Sequence, residues 1–301
     1  MQNHGLIYFM HRFPDDLTCL KHLEKRRWPD GNIVCPHCGH QKKIYRFKDG
    51  KTFKCSSCSK RFNAKTGTLY ENSNIPLQKW YITNYLLASS KKGISSVELA
   101  KILNITQASS WYMLHRIRET LRRNQIDQQL FGIIEVDETY VNPGHRIEKK
   151  RGRGTSKVAV FGLVERKGNI SITPVENAKR KTLDPIIRRK VTPGSRIMSD
   201  EWPAYNKLRD GYTHEVVKHK RKEYVRGQVH TNTIEGAWSH LKRNLLGTYH
   251  RPSVEHLDKY CAEAAFCYNT RNDSPEAKFI KTLDCSKNTR VRYTDIVNQK
   301  S

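Results

Sequence analysis

Residues 131–141 read FGIIEVDETYV, and their pattern governs how the C-terminal half of the chain folds. Apolar and polar residues alternate with a period of two, the mark of a strand that lays one face on a core. Alternation puts Ile134 and Val136 on one face and Glu135 and Asp137 on the other. A carboxylate in the middle of an apolar strand is costly to bury unless it is paired or bound to a cation. Asp137 is read as the ligand. Glu138 belongs to the opposite face and Glu135 lies about 7 Å away along the strand, so both take structural or solvent-facing roles.

Working outward, KVAVFGLVERKG and NISITPVENA continue the period of two and complete a three-strand meander. KTLDPIIRRKV reads as a helix interrupted near its start by Pro185. SRIMSDEW is a fourth strand that runs out at Asp200, WPAYNKL begins a helix, and HEVVKHK is a fifth short strand. SVEHLDKYCAEAAFCYNTRN follows as the longest helix of the region, with Val254, Leu257, Cys261, Ala264 and Tyr268 in helical spacing. Strands first, then alternating helices and strands, predict an α/β fold with a mixed sheet and helices on its faces. Trp80, Trp111, Trp202 and Trp238 are read as core, and the last 25 or so residues as a loosely attached tail.

Residues 229–247, VHTNTIEGAWSHLKRNLLG, hold a third acid. Asn232 and Glu235 have the spacing of a capping box, which would make Glu235 structural. Lys242 lies two helical turns beyond Glu235 and points the same way. Asp200 has a local alternative too, as the N-cap of the segment that starts at Trp202-Pro203. Three carboxylates on a strand, a strand end and a helix start can nevertheless converge on hard divalent cations such as Mg²⁺. Two such ions clamp the attacking and leaving oxygens of a phosphodiester. On this reading Asn232 caps the helix and Glu235 turns toward Asp137 and Asp200.

The first 65 residues form a different unit. Cys35 and Cys38 (CPHC) and Cys55 and Cys58 (CSSC) have 16 residues between the pairs, a spacing suited to a structural zinc ion held by four thiolates. The intervening KKIYRFKDGKTFKC alternates as a hairpin with a DG turn. His37 and His40 are surplus to that set. Cys19, Cys261, Cys267 and Cys285 are scattered, as free thiols of a reducing compartment are. Between residues 77 and 123 the pattern is helical: LQKWYITNYLLASS, the breaker KKGI, then SSVELAKIL opened by Ser95 or Ser96, with apolar Leu99, Ile102 and Leu103. A turn at Asn104-Ile105-Thr106 leads into a longer helix carrying Trp111, Leu114, Ile117 and Leu121. Short helix, turn and longer helix is the helix-turn-helix arrangement.

Charge points to the partner. Lys and Arg number 55 against 29 Asp and Glu, a formal +26, which calls for a polyanion; DNA fits best. The basic runs EKKRGRGTSK, KRKTLDPIIRRK and KHKRKEYVR flank the acid-bearing strands, and Lys149, Lys150, Arg151 and Arg153 of the first are candidate DNA contacts. No run reaches the length of a membrane span, and LIYFM at 6–10 is too short for a signal peptide, so an intracellular protein is expected.

RWPDG…CPHCG, IIEVDETYV, KKRGRG, SDEWPAY, HTNTIEGAWSHLKR and CYNTRN occur here in an order and spacing that resemble the transposases of bacterial insertion sequences with an N-terminal zinc ribbon, a group related to the Merlin elements. The resemblance implies a ribonuclease-H-like catalytic fold with Asp137, Asp200 and Glu235 as an Asp-Asp-Glu triad. It also implies two Mg²⁺ (or Mn²⁺) ions and DNA cleavage followed by strand transfer. The 34 residues between the second and third acids are similar to the short spacing of many such enzymes. Lys242 matches their phosphate-contacting basic residue, and His230 and Asn232 match an H-x-N-x-x-E pattern placed at DNA. The domains expected are a zinc ribbon (1–65), a helix-turn-helix domain (66–128), a catalytic domain (129–275) and a tail (276–301). Element ends and target DNA would be the partners, a homo-oligomer would hold the two ends, and the bacterial cytoplasm at the nucleoid would be the location. A catalytically inactive, transposase-derived DNA-binding protein and a metal-dependent nuclease without strand transfer are the alternatives.

Overall fold

The computed structural model describes residues 5–125, 129–142, 157–205, 208, 210–217, 225, 227, 229–250 and 252–297. Two compact units share the chain, residues 1–120 with 273–299 and residues 121–272.

The first unit opens with helices α1 (Leu6–Arg12) and α2 (Asp16–Arg27), the latter capped by Asp15, whose side chain accepts from the Thr18 N–H. Strands β1 (Ile44–Arg46), β2 (Phe53–Cys55) and β3 (Arg61–Phe62) pair antiparallel in sequence order. The expected turn joins β1 and β2: Asp49 accepts from the N–H groups of Lys51 and Thr52, both at 2.9 Å, and Gly50 takes φ +66°. Loops beside this hairpin bring the four cysteine sulfurs within 4.8 Å of one another. Cys35 stands 3.7 Å from Cys58, and Cys38 3.7 Å from Cys55. A tetrahedron of zinc–sulfur bonds of about 2.3 Å sets sulfurs about 3.8 Å apart. The cluster fits one structural zinc ion, and His40 is engaged elsewhere, accepting from the Lys43 N–H.

Helices α3 (Leu77–Ser89), α4 (Ser96–Leu103) and α5 (Gln107–Asn124) follow. Ser95 caps α4 through the Glu98 N–H, and Asn104 ends it in the left-handed region at φ +48°, where a glycine is more usual. Leu99, Ala100 and Leu103 form the buried face of α4. Ile102, expected with them, is 48% exposed, because an eight-residue helix buries a narrow stripe and Ile102 falls on its flank. Leu114, Ile117 and Leu121 are buried as expected, whereas Trp111 is half-buried.

The second unit is built on a mixed sheet of five strands in the order β6-β5-β4-β7-β8. β4 (Ile133–Val141), β5 (Val158–Glu165) and β6 (Ile170–Val175) make the antiparallel meander, and β7 (Arg196–Ser199) and β8 (Thr213–Val216) add in parallel on the other edge of β4. Helix α6 (Arg180–Lys190) links β6 to β7 and runs through Pro185 without the expected interruption. Pro185 is exposed, so the one lost hydrogen bond leaves a carbonyl facing water. WPAYNKL yields a single 3₁₀ turn at Pro203–Tyr205 among the described residues. Helices α7 (Asn232–Arg243) and α8 (Leu257–Asn269) complete the unit, and Val254, expected in the α8 stripe, is 57% exposed in a 3₁₀ turn ahead of it.

Both faces of the sheet are covered. Ile134, Val136 and Phe161 pack with Leu183 and Ile187 of α6 and with Tyr205; Val160, Val164 and Ile172 pack with Ile234, Trp238 and Leu241 of α7 and Leu257 and Cys261 of α8. No helix among the described residues is long and apolar enough to cross a membrane.

The chain then returns to the first unit as α9 (Pro275–Ser286) and α10 (Thr294–Val297). This corrects the reading of a loose tail. Ser274 caps α9 through the Ala277 N–H, Pro275 occupies its first position, and Phe279 and Leu283 are buried. The Phe279 ring lies 4.8 Å from Phe9, 5.7 Å from Phe13 and 5.3 Å from Tyr81, measured between centroids. Polar residues outside that stripe hid the helix from a reading by composition. Phe279→Ala is expected to destabilise this unit by about 3 kcal/mol, measured as a lower midpoint in chemical denaturation.

Candidate active site

Asp137 lies near the middle of β4 and, as alternation requires, faces the layer of α7. Its register partner on β5 is Gly162. A Cβ at Gly162 would come within 2.4 Å of the Trp238 ring, so the missing side chain is the space that the indole fills. From there Trp238 Nε1 donates to Asp137 Oδ2 at 2.9 Å. Trp238 is therefore both a core residue, as read from the sequence, and a fixed donor to the strand carboxylate.

Asp200 follows directly on the end of β7, a parallel neighbour of β4. Its Oδ1 accepts from the Trp202 N–H at 3.0 Å, so the local capping role exists and leaves the second oxygen for other use. Beside it, Ser199 Oγ lies 2.8 Å from His214 Nε2 on β8. Glu235 sits in the first turn of α7, where Oε1 accepts from Thr231 Oγ1 at 3.1 Å.

The charges of these groups act on one another. The Asp137 carboxyl is pushed up to about 7, first by burial, then by the negative charges of Asp200 and Glu235; the Trp238 hydrogen bond and the Lys242 charge oppose this. Lys242 is held below the usual lysine range, first by burial and then by Lys157, against the pull of Asp137. Asp200, Glu235 and Lys242 thus each act on the charge of Asp137, and like charges among acids are of the kind a cation relieves. Their all-oxygen donor set suits Mg²⁺ or Mn²⁺.

The start of α7 differs from expectation. Asn232 is the first helical residue and Thr231 is the N-cap, yet Thr231 makes no side-chain capping bond because its hydroxyl is spent on Glu235. Glu135 supplies the cap from the neighbouring strand. Its Oε2 accepts from the N–H groups of Thr233 and Ile234 at 2.8 and 3.1 Å, and Oε1 accepts from Thr233 Oγ1 at 2.8 Å. Arg166, just beyond β5, donates from Nε to the same Oε1 at 2.6 Å and from Nη2 to the His230 carbonyl at 2.8 Å. The His230 ring stands close by, Nδ1 3.3 Å from Glu135 Oε1. Glu135 is fully buried, and of its two expected roles the structural one holds. Glu138, on the opposite face, accepts from the Tyr205 hydroxyl at 2.7 Å. Lys149, Lys150, Arg151 and Arg153 lie outside the described residues.

Sequence reasoning missed Gly162, Arg166 and the donor role of Trp238. An acid two positions from Asp137 on the same strand face was the signal for a buried cation partner; nothing local marked Arg166 as that partner.

Residues 129–269 match the model of the ISXO2-like transposase domain, and residues 14–61 that of the transposase zinc-ribbon domain. The chain is 29% identical over 259 residues to the uncharacterized protein in transposable element ISH50 of Halobacterium salinarum, covering 79% of this chain and 85% of that relative. It is also 29% identical over 110 residues to an uncharacterized transposase-like protein of Haemophilus influenzae, covering 36% of this chain and 88% of that one. Among solved structures, a chain of the Mos1 strand transfer complex aligns with a TM-score of 0.28 at 13% identity, over 64% of this chain and 71% of that chain.

Two outcomes follow from the geometry. Gly162→Ala is expected to displace the Trp238 ring and to destabilise the unit by roughly 1–3 kcal/mol, visible as a lower unfolding midpoint. The second concerns pH. The folded state holds the Asp137 proton more tightly than the ordinary 3.8 allows, so stability from it is full below about pH 4 and lost as pH rises through about 7. Asp137→Asn removes that loss. Without added Mg²⁺ or Mn²⁺ it should stabilise the protein by about 1 kcal/mol at pH 8, since partial solvent contact discounts the full shift, with the gain vanishing near pH 4. Urea unfolding at the two pH values measures it.

Proposed function

This chain belongs to the insertion-sequence transposases that join a zinc ribbon to an ISXO2-like transposase domain, and from that premise we propose the chemistry its acids perform. Asp137, Asp200 and Glu235 are the catalytic triad of a ribonuclease-H-like domain and would hold a pair of divalent cations, Mg²⁺ or Mn²⁺. What supports this reading is the β4–β7 register, which continued by two residues sets Asp200 opposite Asp137, together with the charges of Asp200, Glu235 and Lys242 that act on the Asp137 carboxyl. Bound cations supply Lewis acidity, lowering the pKa of the attacking hydroxyl and neutralising charge on the phosphate.

The chain's own groups do the rest. Trp238 fixes the Asp137 carboxylate and Thr231 fixes that of Glu235, so neither has to be ordered when substrate arrives. Lys242 faces the same place and meets a DNA phosphate there, with His230 and Asn232 at the mouth of the helix. Water attacks the phosphodiester at the element end and releases a 3′-hydroxyl; that hydroxyl then attacks target DNA, both as in-line displacements. The zinc ribbon and the α4–α5 pair, read as a helix-turn-helix, bind the terminal inverted repeats. The surplus of positive charge, including Lys149, Lys150, Arg151 and Arg153, carries the phosphate backbone, and two copies of the chain hold the two ends.

Asp137→Ala and Glu235→Gln should each abolish Mg²⁺-dependent nicking of DNA carrying the element ends while leaving gel-shift binding of that DNA unchanged. Near-normal cutting by either purified variant would defeat the assignment. Binding without any cutting by the parent chain would favour a DNA-binding protein without catalysis.

A further inference from the structure

The first N–H groups of a helix have no partner within it and need an acceptor from outside. In α7 that acceptor is Glu135, a residue nearly a hundred positions away in sequence, two residues from Asp137 on the same strand face. The amides it holds belong to Thr233 and Ile234, the two residues directly before Glu235. Arg166 meets Glu135 with one nitrogen and the His230 carbonyl with another, so the chain entering α7 is tied to the same point. Glu135 is fully buried, and a buried carboxylate persists only when its oxygens are satisfied. Arg166 Nε, two amides and a hydroxyl do so here.

We infer that Glu135 and Arg166 are positioning residues, a clamp that sets the separation of Asp137 from Glu235 and so tunes the affinity of the acids for divalent cation. The inference rests on the reading of the three acids as one metal-holding set. The strand carboxylate and the helix carboxylate sit on different elements, and the only side-chain cap at the start of α7 comes through Glu135 among the described residues. Gln at position 135 cannot replace it, since one end of an amide is a donor and both carboxylate oxygens face donors. Lys at position 166 keeps the charge but cannot span Glu135 and the His230 carbonyl with a planar fork.

The test is calorimetric titration of Mn²⁺ into the zinc-loaded full chain, at a temperature well below each variant's melting point. Glu135→Gln and Arg166→Lys are both expected to weaken Mn²⁺ binding by roughly tenfold or more. Nicking by them should recover toward the parent's maximal rate as Mn²⁺ is raised. A merely structural ion pair would lower the melting temperature and leave the Mn²⁺ affinity where it was. Either folded variant binding Mn²⁺ like the parent overturns the clamp; if Glu135→Gln does not fold, Arg166→Lys decides alone. Glu235→Gln runs alongside: unchanged Mn²⁺ binding there removes the three-acid site itself and the clamp with it, whereas weakened binding there with a normal Arg166→Lys removes only the clamp.

Discussion

Strand β4 has nowhere to send its acids. It is hydrogen-bonded on both edges, antiparallel to β5 and parallel to β7, and helices cover both faces of the sheet. Each carboxylate on it must therefore find a partner within the fold or keep its proton. Glu135 finds Arg166 and the start of α7; Glu138 finds Tyr205; Asp137 finds, among the described residues, one hydrogen bond from Trp238 and the charge of Lys242 against those of two other acids. That imbalance sets Asp137 apart from the two glutamates on the same strand, and it is the ground on which a catalytic role is proposed for it.

The sheet order makes this imbalance useful. A parallel neighbour ends on the same side as β4 runs, so the residue after β7, Asp200, emerges beside Asp137. The antiparallel neighbour contributes the opposite, an absence of bulk, at Gly162. Through that gap α7 approaches closely enough for an indole to reach the strand. Glycine here does not serve a turn; it sets the distance between a helix and a sheet.

Much of this was legible in the chain itself. Periodicity located the five strands of the larger sheet and the hairpin of the smaller one but not β3, the DG turn and paired cysteines defined the zinc-bearing hairpin, and Asp137, Asp200 and Glu235 stand, as read, on a strand, just past a strand end and in the first turn of a helix. What periodicity does not encode is which residue answers a charge through space. Arg166 sits in a turn with an ordinary basic composition, and only the pairing of β4 with β5, which sets its backbone against Ile133, brings its side chain within reach of Glu135. The cap of α7 was misassigned for the same reason: Asn232 offers a plausible local signal, while the acceptor in use comes from another strand. Helix α9 escaped notice because two aromatic or aliphatic anchors four residues apart suffice when the partner surface is already aromatic.

Helix α9 also changes what it means for this protein to be partly made. The unit that carries the zinc-binding cysteines includes residues from both before and after the 121–272 unit, so the latter is an insertion within it. A nascent chain can close the inserted unit as soon as its own residues have emerged, but Phe9, Phe13 and Tyr81 must wait for Phe279. The order of completion during synthesis is thus the reverse of the order in which the two units begin, and a chain stopped before residue 275 would have its acid-bearing sheet complete while the aromatic core of the other unit lacked Phe279.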